Sequence, residues 1–217
     1  MGILSSIDEQ FSIVTIADWE RSGAETYSYI FDVVSAVRTR LILKACVALA
    51  VGRSLDTVVE EWVKRRSLLQ SHKVATPKLF GHCQGTILEE FVFYDINDVL
   101  RRSAKPELIA SGLGHLAAVL VSLGFHPIQP FHDLRSRGLD VVVIDFGEDL
   151  GPPGGSLTSV DVDRLLRSLT ARFEAWKLPR TAEFELIARQ KFWEVMEVSK
   201  LNDQETRDAN NEGKTDV

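Results

Sequence analysis

Apolar and polar positions alternate in short runs through the first fifty residues, and longer stripes of helical period replace them beyond. Alternation with period two predicts strands, because successive side chains on a strand point to opposite faces. On that pattern residues 11–16 form a first strand, residues 27–34 a second and residues 40–47 a third. Polar turns lie between them, one around Gly23 and one at residues 35–39. The spacing then changes. Leu55, Val58, Val59, Trp62 and Leu69 make one apolar stripe and predict a helix over 54–70, with Ser54 or Asp56 as its cap. Residues 73–81 read as a loop entering a strand, and Thr86 to Val92 as a strand carrying two adjacent acids, Glu89 and Glu90.

A strongly apolar helix is expected at 106–124, through Leu108, Ile109, Leu113, Leu116, Val119, Leu120 and Leu123, with Gly124 able to end it. An irregular loop with two prolines follows, then a hairpin turning at Arg137 and Gly138. Its second strand, Val141 to Ile144, is a β-branched run of the kind that packs in a buried sheet. Two helices close the pattern. One, capped by Ser159, buries Leu165, Leu166, Leu169, Phe173 and Trp176. The other begins near Thr181 and buries Phe184, Ile187, Trp193 and Met196 or their neighbours. The stretch from Leu201 to Val217 is polar, and its composition predicts a disordered tail.

Composition narrows the class. The chain has 217 residues, 45% hydrophobic and 26% charged, enough for one globular domain or two small lobes sharing a cleft. A net charge of −6 gives no basic surface for nucleic acid. No apolar run reaches the roughly 18 residues of a membrane span, and no secretory signal is visible, so a cytoplasmic protein with reduced Cys46 and Cys83 is expected. The five histidines lack zinc-ligand spacing, no phosphate-binding G-x-x-x-x-G-K-[ST] loop is present, and no G-x-S-x-G elbow suggests a hydrolase.

Two residues carry candidate chemistry. Lys44 stands inside the apolar strand Leu41-Ile-Leu-Lys-Ala-Cys-Val47, where it is either outward-facing or placed for an anion. Asp145 ends a buried strand and is followed by Phe146 and Gly147. A carboxylate where such a strand meets solvent can hold a metal ion, although a strand followed by a D-x-G turn is also common without one.

The order strand-lysine, helix-glutamate, acid-bearing strand, apolar helix, His/Asp loop and Asp-Phe-Gly resembles the protein-kinase-like fold. It is most similar to the small aminoglycoside-phosphotransferase-like and Bud32-type branch, over roughly residues 10–170. The resemblance implies an α+β, two-lobed protein: an N-lobe of antiparallel sheet plus one helix over 1–90, a mostly helical C-lobe over 91–200, and the tail. It implies an ATP-dependent phosphotransferase using ATP and Mg2+ on an unknown small-molecule or protein acceptor. Lys44 would grip the phosphates and Glu61, or Glu60, would orient it; the bland alternative for both acids is an ordinary acidic first turn. Gly23 would stand in for the phosphate-covering loop, Glu90 would lie in the adenine-facing hinge strand, and Asp145 would bind the metal.

The catalytic loop departs from the family's His-x-Asp-x-x-x-x-Asn. In one register His132 and Asp133 supply the catalytic pair, leaving only twelve positions to Asp145. In the other, which leaves room for both hairpin strands, Asp133 replaces the Asn as a metal ligand and Ile128 stands where the proton-accepting Asp belongs. Ile128 cannot accept a proton, so His132, Glu148 or Asp149 would have to substitute. The alternative is a nucleotide-binding pseudokinase or partner-binding module without transfer.

Overall fold

The computed structural model describes residues 12–22, 26–34, 38–46, 54–147, 150–155 and 158–212. Gly23, Glu148 and Asp149 lie outside the described residues. The chain divides into two compact units, residues 1–93 with 142–147, and residues 94–141 with 148–217. The Asp145 segment, which the sequence order groups with the C-lobe, therefore packs with the first unit.

The first unit is built on a five-stranded antiparallel sheet. Its strands are β1 (Ser12–Ser22), β2 (Thr26–Val34), β3 (Arg38–Cys46), β4 (Leu79–Cys83) and β5 (Thr86–Glu90), in spatial order β1-β2-β3-β5-β4. β1 runs beyond the predicted strand and takes in residues 19–22, read from sequence as turn; its register with β2 slips twice, near Ile13 and Ile16. In β2 and β3, Tyr29 pairs with Leu43 and Phe31 with Leu41. These side chains share a face with Leu88 and form an apolar cluster with Phe80 and Cys83.

Helix α1 (Leu55–Ser71) begins where the pattern predicts. Ser54 caps it by accepting a hydrogen bond from the Thr57 backbone N–H at 3.1 Å. It buries Val59, Trp62, Arg65, Arg66 and Leu69. Residues 142–147 join this unit through a parallel bridge between Ala75 and Val142 and a bond from the Val143 N–H to the Ala75 carbonyl at 3.0 Å.

The second unit contains β6 (Tyr94–Asp95), α2 (Ile96–Arg102), α3 (Pro106–Ser122), β7 (Leu134–Arg137), β8 (Asp140–Val143, which runs on into the first unit's segment), α4 (Ser159–Trp176) and α5 (Thr181–Glu212). The short α2 was not anticipated; Asp95 caps it through the Asn97 N–H at 2.9 Å. α3 buries Ile109, Leu113, Leu116, Val119 and Leu120, and Gly124 takes a positive φ of 66° just beyond its end. Gly114 lets α3 approach α5 closely. A Cβ there would stand 2.0 Å from the Ala188 carbonyl oxygen.

Two expectations are corrected here and a third is narrowed to particular residues. α4 is capped by Thr158, not Ser159, in a reciprocal box with Asp161. On α5 the buried row is Phe184, Ala188 and Phe192, at i, i+4 and i+8, while Trp193 is 48% exposed. α5 also continues to Glu212, through residues expected to be disordered. A helix already nucleated by a packed segment adds residues at little cost, so even a polar stretch can extend it. Among the described residues no helix is long and apolar enough to cross a membrane.

Candidate nucleotide site in the first unit

The sheet register decides what Lys44 meets. Lys44 pairs with Ile87 of β5, and Ile42 pairs with Glu89. Directly opposed residues share a face, and residues two apart on a strand share it too. Lys44 and Glu89 therefore stand as diagonal neighbours on one face, and Leu41 and Glu90 stand on the other.

Lys44 Nζ lies 2.8 Å from Glu89 Oε1. The second oxygen of that carboxylate, Oε2, accepts from Arg66 Nη1 of α1 at 2.7 Å. Glu89 is 2% exposed, Arg66 3% and Lys44 13%. A carboxylate this buried survives as an ion only when opposite charges pair it on both oxygens. Two cations around one acid leave a local excess of positive charge.

The same lysine donates to the Ile144 carbonyl oxygen, one residue before Asp145. Arg65 Nη1 donates to the carbonyls of Phe146 at 2.8 Å and Gly147 at 2.6 Å. Arg66 also lies over the Phe146 ring, 5.6 Å from guanidinium carbon to ring centre. Asp145 Oδ1 accepts from the Gly147 N–H at 2.8 Å and closes a tight turn. Lys44 and Arg65 thus hold the backbone of residues 144–147 while Arg66 faces the Phe146 ring, and the Asp145 carboxylate emerges from that turn half-buried.

Among the described residues, Asp145 Oδ2 has no hydrogen-bond partner. A carboxylate oxygen suits Mg2+, a hard cation that keeps several waters and takes one or two carboxylates with phosphate oxygens. The donor chemistry fits that ion. Among the described residues no group of three or more His, Cys, Asp or Glu could hold a metal by itself.

Placement differs from the expected roles in two cases. The sequence looked to Glu61, or Glu60, as the acid for Lys44; the acid found on Lys44 is Glu89, and the Glu61 carboxylate is 3.5 Å from Arg65, one helical turn on. The reason is geometric: Glu89 lies in the strand paired with that of Lys44, on the same face. Glu90 lies on the opposite face of the sheet. Its side chain accepts from the Lys78 N–H at 3.0 Å, and its own N–H donates to the Lys78 carbonyl at 2.9 Å. Arg65 and Arg66 were missed. A signal existed for Arg66, which continues the Val59, Trp62, Leu69 stripe at helical spacing.

His132 and Asp133 belong to the second unit, on an exposed turn next to β7. The His132 N–H donates to the Gln129 carbonyl at 3.2 Å. β7 begins at Leu134, directly after Asp133, and the hairpin fills 134–143. Ile128 is 62% exposed.

No protein-family model matches the chain, and no curated protein sequence matches it. Among solved structures it is similar to the Rio2 kinase–ADP/Mg2+–phosphoaspartate complex from Chaetomium thermophilum. The identity is 13%, 89% of this chain and 72% of that one are covered, and the TM-score is 0.50. At that identity the likeness concerns the fold: an α+β, kinase-like arrangement of a small antiparallel sheet and helices.

Proposed function

We propose that the chain binds Mg2+·ATP and transfers its terminal phosphoryl group to an acceptor. The observation that carries this reading is the bond from Lys44 Nζ to the Ile144 carbonyl. It ties an ammonium to the residue next to Asp145, so one triphosphate can meet a cation through its oxygens and a carboxylate through its metal. In such a site Lys44 would neutralise phosphate oxygens and Asp145 would hold Mg2+, which when bound draws charge from the transferring group. The kinase-like fold supports the reading, and so does the ADP and Mg2+ in the Rio2 kinase complex, a property of that protein. Catalysis of this kind relies mainly on positioning and electrostatics, and the rigid hold on residues 144–147 supplies both. Metal and acceptor-side roles for Asp133 and His132 rest on sequence order. Lys44→Ala and Asp145→Ala are each expected to abolish ATP turnover by the full chain; turnover unchanged in both would overturn the proposal.

A second reading is favoured by Ile128. With β7 starting at Leu134, the register that makes Asp133 the metal ligand puts this isoleucine at the position of the proton acceptor. A positioned base commonly contributes about 10²–10⁴-fold. Its loss suits a protein that holds nucleotide without transferring phosphate. Nucleotide-dependent stabilisation with no turnover would select this reading over the first.

A further inference from the structure

We propose that Glu89 is the residue that positions Lys44, and that Arg66 holds Glu89 in place for that task. The inference deepens the nucleotide-binding reading and rests on it. An ammonium has three donors. Among the described residues, Lys44 donates to the Ile144 carbonyl and stands 2.8 Å from Glu89 Oε1 in an ion pair. These two contacts fix the ammonium in place and leave it an N–H to offer a phosphate oxygen.

Glu89 can do this because it is itself immobilised. It sits in β5, whose ladder with β3 runs from Leu41–Glu90 to Ala45–Thr86, so its backbone is fixed relative to that of Lys44. Its other oxygen is taken by Arg66. Helix α1 thus supplies an arginine at this point, and the strand supplies the acid.

Arg66 gives an independent sign that the arrangement serves more than stability. Its Nε and Nη2 are buried with no hydrogen-bond partner among the described residues. Empty buried donors are costly and uncommon. Replacing a buried ion pair by packed apolar side chains is often neutral or stabilising, so stability alone does not require this arginine. The arginine is kept where it touches Glu89 and faces Phe146.

Labelling of lysine amines by acetic anhydride, read by mass spectrometry on the full chain, tests this. The other lysines serve as internal standards, and far-UV circular dichroism confirms folding at the labelling temperature. Glu89→Gln is expected to raise the Lys44 labelling rate about tenfold, since the buried partner that holds the amine is gone. Arg66→Met, which keeps Glu89 but frees it to move, is expected to give a smaller rise. A Glu89 that served only to pair Arg66 would shift the melting temperature and leave the Lys44 rate in the folded protein alone; an unchanged rate in folded Glu89→Gln overturns the proposal. Mg2+·ADP is added to the wild type in parallel. If labelling responds as expected and Mg2+·ADP leaves the melting temperature unmoved, the assignment of Glu89 stands and the nucleotide reading falls.

Discussion

Arg65 and Gly147 are 82 residues apart in the chain, and Nη1 of the first reaches the carbonyl of the second at 2.6 Å. The same nitrogen holds the Phe146 carbonyl. A helix thereby fixes the turn that carries Asp145. Hydrogen bonds to a charged donor contribute about 1.5–3 kcal/mol each, and the carbonyls would lose their partner together. Arg65→Met is expected to cost about 2–4 kcal/mol in urea denaturation, with tryptophan fluorescence as the probe. Arg65→Lys, which keeps the charge without the fork, recovers only part of that. Amide exchange at Gly147 should quicken in both.

Glu89 is shared by Lys44 and Arg66, so its removal strands two cations. Breaking a buried pair from one side costs about 3–5 kcal/mol, and Glu89→Gln should fall in that range. Glu89→Gln/Arg66→Met removes one acid and one cation together. A double-mutant cycle by chemical denaturation is expected to show the pair of changes costing less than the sum of the singles by more than about 1 kcal/mol. Simple additivity would mean that the two side chains are not coupled.

Much of this architecture is legible in the residues. Lys44 inside an apolar alternation, the Ser54 cap, the apolar run of α3 ended at Gly124 and the hairpin before Asp145 all follow from local rules of period and turn chemistry. What stays hidden depends on pairing between distant strands. Glu89 and Glu90 look alike in sequence, and only the register with β3 puts one beside Lys44 and the other on the opposite face. Arg65 and Arg66 follow Lys64 and read as a solvated charged run; their burial comes from packing against residues that lie 23 and more than 80 positions away. Trp193 and Phe192 are likewise adjacent aromatics, and a four-residue row, not size, decides which is buried.

Close approach in the second unit makes a sharper steric prediction. At Gly114 an added Cβ meets backbone, the Ala188 carbonyl, which cannot swing aside. Overpacking costs about 1–3 kcal/mol, and Gly114→Ala should lie at or above the upper end. Gly81 is the control, since nothing lies within 4 Å of its added Cβ. Gly81→Ala should stay within about 0.5 kcal/mol of wild type. Calorimetric melting of both variants checks the contrast.

Acid stability should depend on α4 and α5. The Thr170 hydroxyl, with Arg189 beside it, holds the Glu185 carboxyl below its ordinary value of 4.5. Bonds from Thr158 at the helix start do the same for Asp161, below 3.8. A depressed carboxylate binds protons less readily when folded, so its contribution is present above the ordinary value and is lost as pH falls through the lower folded value. Stability of the wild type should therefore decline as pH drops below about 4.5. Glu185→Gln and Asp161→Asn should each flatten that decline in denaturation curves taken across the window.

Lys44 and Asp145 are proposed to serve one nucleotide. Scanning fluorimetry with increasing Mg2+·ATP measures this directly, because a ligand that binds only the folded state raises the melting temperature as its concentration grows. The wild type is predicted to show that rise, and Lys44→Ala and Asp145→Ala are predicted to show none. A wild type that does not respond, or an equal rise in both variants, would contradict it.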